Sequence, residues 1–264
     1  MSAARIKPKT ILVTGAGGSL ARRVMARLMD RHQVIAVDFR RKVQTDAHIP
    51  SYQVDLSKRR FEDIFRDHPI DGVIHLGRIL TNEYSRFRRY NDNVLGTRRL
   101  FDLAEKYNVG KVVVHSTHFV YGADAYNPAP LYETAPLKAS ELTMDLVDAV
   151  ELENLAQIYL WRNPKLHITI LRPCNIVGPG VRNSMSRLLS RRLAPALLGF
   201  SPLMQFLHVV DMADAVVAAL ERRVMGMLNV APHDRVGALV VLRALYAQVF
   251  PPRALPRACT RPRR

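Results

Sequence analysis

The stretch KTILVTGAGGSLARRVMARLMDRHQVIAVDF, Lys9 to Phe39, predicts the fold of this 264-residue chain. An apolar run near its start indicates a short buried strand. A turn of small residues follows, and a helical pattern then runs through Leu28. A second apolar run ends at Asp38. Strand, glycine turn, helix, strand and terminal carboxylate form one βαβ unit of about 30 residues, the context that a dinucleotide-binding fingerprint requires.

The turn between the two apolar runs predicts a site for a pyrophosphate. Gly15 permits a tight turn, and Gly18 lets a pyrophosphate approach the backbone at the helix N-terminus, where unpaired N–H groups and the helix dipole favour an anion. Gly17, Ser19 and Leu20 are the neighbours that we expect to contact the same group. A glycine loop that merely turns the chain is the alternative interpretation.

The acid at the end of the second strand indicates which dinucleotide is bound. Asp38 lies 20 residues after Gly18 (38 − 18), where it is placed to accept hydrogen bonds from the 2′ and 3′ hydroxyls of a ribose. Its charge would repel a 2′-phosphate, so the sequence favours NAD. Arg40 and Arg41 leave NADP open as the alternative.

Composition predicts a cytoplasmic protein. No apolar run reaches the roughly 18 residues of a membrane helix. The short basic N-terminus has no apolar stretch before the first strand, so we expect no signal peptide. Cys174 and Cys259 are far apart and have neither metal nor redox spacing, which suits a reducing compartment.

The chain is strongly basic, with 39 lysines and arginines against 23 acids and a formal net charge of +16. Such a charge attracts nucleic acid, anionic lipid or phosphorylated substrates. The basic pairs are scattered and form no stripe with interleaved aromatic residues, so nucleic acid is not the expected partner. Surface contact with an anionic membrane and a purely compositional origin of the charge both stay open.

The spacing G-x-x-G-x-x-A after Thr14 resembles the short-chain dehydrogenase/reductase superfamily, and within it the extended branch of NAD-dependent epimerases and dehydratases of nucleotide sugars. The resemblance extends to about Val249 and implies a doubly wound parallel α/β sheet with a small C-terminal substrate lobe, assembled as a homodimer. We expect the dinucleotide-binding domain in residues 1–182 and 205–231, the lobe in residues 183–204 and 232–250, and a disordered basic tail in residues 251–264.

Several later motifs match the same family and imply further contacts to the cofactor. The implied residues are Asp55, Leu56, Leu76, Gly77, Arg78, Asn93, Arg172, Pro173 and Asn175. The pair Asp55-Leu56 would border the adenine, although a helix-capping role for Asp55 is an alternative. Arg78 stands where the family has alanine, so it either pairs with the pyrophosphate or crowds it. The R-P-x-N-x-x-G-P-G loop, Arg172 to Gly180, would lie beside the nicotinamide, and Arg182 in the following helix would face a substrate diphosphate or solvent.

The catalytic residues of the family match only in part. Thr117 stands at the family's catalytic hydroxyl, counted back from Val120-Tyr121-Gly122, although a Ser-Thr pair at a strand end is also common turn chemistry. The family's Y-x-x-x-K dyad is missing. When the chain is aligned on Glu153, Asp145 replaces the tyrosine and Ala149 replaces the lysine. Asp145 is a candidate replacement base if burial raises its pKa; otherwise it is one acid on an acidic helix face.

Two functions therefore remain open from the sequence. The first is hydride chemistry on a nucleotide sugar or a similar hydroxyl substrate, with an unconventional base. The second is a cofactor-binding module without turnover, in which occupancy by NAD changes shape or partner choice. The missing dyad favours the second function, whereas Thr117 and the R-P-x-N-x-x-G-P-G loop favour the first.

Overall fold

A seven-stranded parallel sheet forms the centre of the protein. The structure, a computed structural model, describes residues 7–40, 43, 48–78, 85–124, 126–128, 130–139, 146–190 and 203–237. Its strands are β1 Thr10–Thr14, β2 Gln33–Asp38, β3 Ser51–Gln53, β4 Gly72–His75, β5 Lys111–His115, β6 His167–Pro173, β7 Asn175–Val177, β8 Leu203–Met204, β9 Phe206–His208, β10 Gly226–Val230 and β11 Val236–Gly237. The main sheet has the order β10-β6-β5-β4-β1-β2-β3, and its pairs are parallel. The predicted doubly wound α/β fold is confirmed.

Helices cover both faces of this sheet. They are α1 Ser19–Leu28, α2 Arg59–Asp67, α3 Arg86–Tyr90, α4 Gly96–Lys106, α5 Val147–Arg162, α6 Ser184–Leu189 and α7 Val209–Glu221, with a π-helical turn at Asn91–Leu95 and a 3₁₀ turn at His118–Tyr121. Along β1 the side chains alternate between two apolar clusters, Ile11 and Val13 in one and Leu12 in the other. Because both faces are covered, β1 is apolar at successive positions.

The sheet places its topological switch point between β1 and β4. These strands are neighbours, and the chain leaves them toward opposite edges of the sheet, since β1 also pairs with β2 and β4 also pairs with β5. In such sheets the loops at the carboxyl ends separate here and leave a crevice. The two loops begin at Gly15 and Leu76.

Several helix boundaries differ from the prediction. The sequence predicts one long helix over residues 86–107, and the structure has a π-helical turn within it, one wider turn between α3 and α4. Gly96 in this stretch predicts close backbone packing, since glycine is otherwise unfavourable inside a helix. A Cβ there would lie 3.4 Å from the Cβ of Leu56, which supports that prediction. The sequence also predicts a helix over residues 213–222, which begins earlier, at Val209, where the side chain of His208 accepts a hydrogen bond from the N–H of Val210.

The two segments predicted to form the substrate lobe are described only in part. Residues 191–202 and 238–264, which include the predicted basic tail, lie outside the described residues. The apolar pattern of residues 236–250 predicts a helix, and this prediction is wrong at its start, since Val236 and Gly237 pair with β8 as a short antiparallel strand. β7 pairs with β9 in a second small sheet. No helix among the described residues has the length and apolarity to cross a bilayer.

Candidate cofactor and substrate site

A cavity of about 530 Å³ opens at the carboxyl ends of the central strands. Most of the residues predicted for the cofactor line it: Gly15, Gly17, Gly18, Asp38, Asp55, Leu56, Leu76, Gly77, Arg78 and Asn93. Thr14, Val37, Phe39, Arg40, Val54, Asp92 and Arg182 complete the lining. The fold therefore brings four separate motifs of the sequence to one cavity.

Two glycines of the cavity lining contact each other. Gly15 has φ +68°, and a Cβ there would lie 2.5 Å from the Cα of Gly77. A Cβ on Gly77 would in turn lie 3.2 Å from the N of Gly15. The loops after β1 and β4 thus contact each other through backbone atoms, and at these two positions they present backbone to the cavity. A backbone surface of this kind at a helix N-terminus suits a pyrophosphate.

Asp38 connects the glycine loop to the end of β2. One carboxylate oxygen accepts a hydrogen bond from the N–H of Gly17 at 3.0 Å, and the other accepts from the N–H of Arg40 at 2.9 Å. Each carboxylate oxygen has further lone pairs, so Asp38 can accept from ribose hydroxyls while it holds the loop. The geometry fits the predicted role of this acid.

Asp55 also lines the cavity, and it stabilises the turn that precedes α2. Its Oδ1 accepts from both the N–H and the Oγ of Ser57, each at 2.8 Å. The helix itself begins at Arg59, after Lys58, whose side chain forms no capping bond. The alternative prediction of a helix cap therefore needs correction, because Asp55 caps a turn and not the first helical turn.

A buried relay under the cavity fixes the tautomer of His75. Thr97 donates its hydroxyl proton to the carbonyl of Asn93, so Thr97 accepts from Nε2 of His75 at 2.9 Å. Nδ1 of His75 is then the acceptor from Thr14 at 2.6 Å. Burial and the neighbouring His115 lower the pKa of His75 to about 4. The imidazole is neutral at pH 7 and connects β1, β4 and α4.

Arg78 reaches from the cavity wall to α5. Its Nη2 lies 3.7 Å from Oδ1 of Asp148, a carboxylate that is 3% exposed. Asn93 donates to the other oxygen of Asp148, and Nε of Arg89 lies 3.9 Å from Oδ1. The alternative interpretation of Asp145 placed it on an acidic helix face with Asp148, Glu151 and Glu153. That face is not solvated at Asp148 or Glu153, which are both buried. Asp148 is covered by arginine and amide groups from α3, the π-helical turn and the β4 loop.

Arg172 lies outside the cavity lining and has structural partners. It is 2% exposed, and its Nε and Nη2 donate to Oε2 of Glu153 at 2.8 and 2.6 Å. Its Nη1 donates to the hydroxyl of Tyr121 at 2.8 Å and to the carbonyl of Glu133 at 2.9 Å. Glu153 is fully buried and also accepts from Ser116. The guanidinium therefore joins β6, α5 and the loops after β5, and the structure gives it no contact with the cavity.

The other predicted residues flank the cavity without lining it. Ser19 and Leu20 form the first turn of α1. Asn175 donates to the carbonyl of Gln205 at 3.2 Å, which joins β7 to the segment before β9. The carbonyl of Pro173 bonds to His118. Asp145 lies outside the described residues.

Thr117 lies two residues beyond the end of β5, outside the lining of the cavity, and its hydroxyl donates to no group among the described residues. Its Oγ1 accepts from the N–H of Phe119 at 3.3 Å, at the start of the 3₁₀ turn. A hydroxyl that accepts one bond can still donate another. Both predicted roles, turn chemistry and contact with a substrate hydroxyl, are therefore compatible at this residue.

The model of the NAD dependent epimerase/dehydratase family matches residues 11–231, which include every element of this site. The chain belongs to that family.

An uncharacterised protein of Mycobacterium tuberculosis is 28% identical over 228 residues, which cover 83% of this chain and 60% of the relative. The UDP-glucose 4-epimerase of Bacillus subtilis is 26% identical over 250 residues, 80% of this chain and 73% of that enzyme. The crystal structure of Bordetella bronchiseptica WbmH in complex with NAD⁺ superposes with a TM-score of 0.80 at 19% identity, covering 94% of this chain and 84% of that one.

The described residues fit the dinucleotide that gives the epimerase/dehydratase family its name. Gly15 and Gly77 lie so close together that a methyl group at Gly15 would overlap backbone atoms of Gly77. The cavity is therefore bordered here by backbone atoms, which suit a pyrophosphate. Asp38 lines the same cavity with a carboxylate that has lone pairs left for hydroxyl donors. Sequence reasoning missed the burial of Asp148 and Glu153, and no local signal marks it, since each acid is paired by an arginine that lies distant in the chain.

Proposed function

We propose that this member of the epimerase/dehydratase family binds NAD and oxidises a hydroxyl of a nucleotide sugar. The observation that carries the proposal is Asp38, which lines the cavity and holds the N–H of Gly17 in the pyrophosphate loop. The name of the B. subtilis relative, a UDP-glucose 4-epimerase, and the NAD⁺ complex of WbmH support the proposed substrate class and cofactor.

In this proposal each part of the cavity contacts one part of NAD. The loop Gly15–Leu20 holds the pyrophosphate, Asp38 accepts from the adenosine ribose, and Asp55 with Leu56 borders the adenine. Arg78 pairs with the pyrophosphate rather than crowding it, because its guanidinium already lies at the cavity wall against Asp148. NAD is preferred to NADP, since the carboxylate of Asp38 would repel a 2′-phosphate. The positive charge of Arg40, which also lines the cavity, reduces that repulsion and so weakens the preference.

The substrate lies on the side of the cavity that faces β5 and β6. Bound NAD supplies the hydride acceptor. Thr117 donates a hydrogen bond to the reacting hydroxyl, and Arg182 meets the diphosphate of the sugar nucleotide. Asp145, which replaces the family tyrosine, remains the replacement base predicted from the alignment. The predicted lobe of residues 183–204 and 232–250 is the part of the chain assigned to the sugar, and its described elements are α6, β8 and β11.

The test is nicotinamide absorbance at 340 nm, measured on protein loaded with NAD and incubated with a panel of UDP- and dTDP-sugars. We expect reduction with one sugar, and we expect Thr117→Val to slow it about 10²-fold while Thr117→Ser keeps it within severalfold. Thr10→Val is the matched control, since Thr10 begins β1 at the end of the strand away from the cavity and its hydroxyl contacts Gln33. Failure to bind NAD would overturn the proposal.

A cofactor-binding module without turnover is the second candidate. Ala149, which aligns with the family lysine, is buried on α5 and carries no proton donor. A protein that binds NAD yet reduces it with no sugar of the panel, and whose protease pattern changes with NAD, would support this second function.

Assembly and compartment complete the proposal. We propose a homodimer through α5, where Ile158 and Trp161 are exposed and lie about one turn apart, with Trp161 80% exposed. Trp161→Glu should then shift the sedimentation coefficient toward that of the monomer. The proposed compartment is the cytoplasm, which suits the free, buried thiol of Cys174.

A further inference from the structure

Three consecutive polar residues follow β5: Ser116, Thr117 and His118. They differ in which of their hydrogen-bond donors and acceptors are already paired. Ser116 is buried and donates its hydroxyl proton to Glu153. Thr117 accepts from the N–H of Phe119 and keeps its own proton available. His118 extends toward β6, where its Nδ1 lies 3.0 Å from the carbonyl oxygen of Pro173.

The contact with Pro173 fixes the protonation pattern of His118. A carbonyl oxygen can only accept, so Nδ1 carries the hydrogen and Nε2 carries a lone pair in the neutral ring. The ring also packs on Phe119, with the centroids 4.1 Å apart and the planes 35° apart. Among the described residues no group bonds to Nε2. The imidazole is therefore oriented by its neighbours, and its basic nitrogen is available.

The other histidines at this edge of the sheet are unsuited to accept a proton. Both ring nitrogens of His75 are bonded, to Thr14 and Thr97. Nε2 of His115 is buried without a partner, and burial together with Arg78 lowers the pKa of His115 to about 4. Among the described residues at this edge, His118 alone of these three combines a hydrogen-bonded Nδ1 with an Nε2 that is neither bonded nor fully buried.

We propose that His118 is the proton acceptor for the substrate hydroxyl. This inference rests on the proposed function and replaces Asp145 in the role of base. The hydroxyl O–H bond breaks and its proton passes to Nε2 of His118. NAD held by the glycine loop and Asp38 would supply the hydride acceptor, so that the carbon–oxygen double bond could form as the C–H electron pair leaves. Thr117, the preceding residue, donates to the same oxygen and orients it.

The surroundings of His118 keep the ring neutral at pH 7. Burial lowers the pKa of His118, and the hydrogen bond to Pro173 opposes that shift. The groups that pack against the ring from its own segment and from β6 are Thr117, Phe119 and Pro173, and none of them carries a charge. A neutral imidazole is the form that accepts a proton.

The experiment compares His118→Asn and His118→Ala with wild type in the 340 nm assay with the UDP- and dTDP-sugar panel, over pH 5 to 9. We expect His118→Asn to slow reduction by about 10²- to 10³-fold with NAD affinity unchanged within about twofold, and imidazole to restore part of the His118→Ala rate. The wild-type rate should rise with pH to a plateau and lose this rise in His118→Asn. His68→Asn is the matched control, since His68 bonds to Tyr52 outside the site.

A second measurement needs no turnover. ¹⁵N NMR of the wild-type imidazoles should show His118 protonated at Nδ1 and unprotonated at Nε2 at pH 7. Either the opposite tautomer or a His118→Asn rate within threefold of wild type would overturn the inference and leave the proposed function intact. A wild-type protein that fails to bind NAD, or binds it and never reduces it, would overturn both. Thermal melting of each variant shows whether a slow rate reflects unfolding.

Discussion

Gly15 and Gly77 contact each other backbone to backbone, so closely that a Cβ on Gly15 would lie 2.5 Å from the Cα of Gly77. The two residues follow β1 and β4, the strands on either side of the switch point. Both residues line the cavity, and their contact fixes the glycine loop after β1 against the loop after β4. Neither position has room for a side chain without displacement of the other loop.

We therefore expect Gly15→Ala to lower the free energy of unfolding by about 2 kcal/mol or more, since the methyl group overlaps backbone atoms and φ is +68°. NAD binding should be lost as well. Urea unfolding and calorimetric titration measure the two effects. Gly110→Ala is the matched control, because its Cβ would lie 3.7 Å from the carbonyl of Asp71 in an ordinary contact. Equal behaviour of the two variants would contradict the close-contact argument.

Asp38→Asn should weaken NAD binding about tenfold or more. The amide keeps one acceptor oxygen, so it cannot accept from both Gly17 and Arg40 as the carboxylate does, and the charge-assisted bonds are lost. The repulsion of a 2′-phosphate is lost too, so the ratio of NADP to NAD affinity should rise. Titration of both cofactors checks this, with Asp63→Asn, an exposed acid paired to Arg66, as the control. An unchanged ratio would argue against ribose recognition by Asp38.

Glu153→Ala should lower the free energy of unfolding by about 3–5 kcal/mol. The substitution leaves the buried guanidinium of Arg172 without its carboxylate, and an uncompensated buried charge is costly. Glu105→Ala removes an exposed partner of Arg162 and should cost less than about 1 kcal/mol. Denaturant unfolding of both variants measures the two effects. Similar losses in the free energy of unfolding would show that burial does not determine how much an ion pair contributes to stability.

The stability of the protein should fall as the pH drops from about 6.5 to about 4. Burial lowers the pKa of both His75 and His115 to about 4, so in this window the unfolded chain binds protons that the folded protein does not. Protonation linked to each imidazole then lowers the free energy of unfolding by about 3 kcal/mol across the window. Above pH 7 both imidazoles are neutral in the folded and the unfolded chain, so neither makes the stability depend on pH. His115→Gln should flatten the pH dependence by about half. A profile identical to that of wild type would show that His115 titrates normally in the folded state.

Most residues that line the cavity were predictable from the sequence, because each is marked by a local pattern. The glycine turn, Asp38 and the Asp55-Leu56 pair each follow a strand, and parallel strands bring their carboxyl ends to one edge. The arginines were less predictable. Arg172 belongs to a cofactor motif in the sequence, yet the structure pairs it with Glu153, because a buried guanidinium needs a carboxylate within hydrogen-bond distance.

Apolar runs and glycine spacing were sufficient to predict the βαβ unit, the parallel sheet and the glycine loop. These features depend on residues that are neighbours in the sequence, since a buried strand needs consecutive apolar residues and a tight turn needs glycine. Packing between distant elements was needed to bury Asp148 under Arg78 and to turn His118 toward Pro173. These contacts join residues 70 and 55 positions apart (148 − 78 and 173 − 118). Side-chain partners at such separations depend on how strands and helices cross, which no periodicity in the chain encodes.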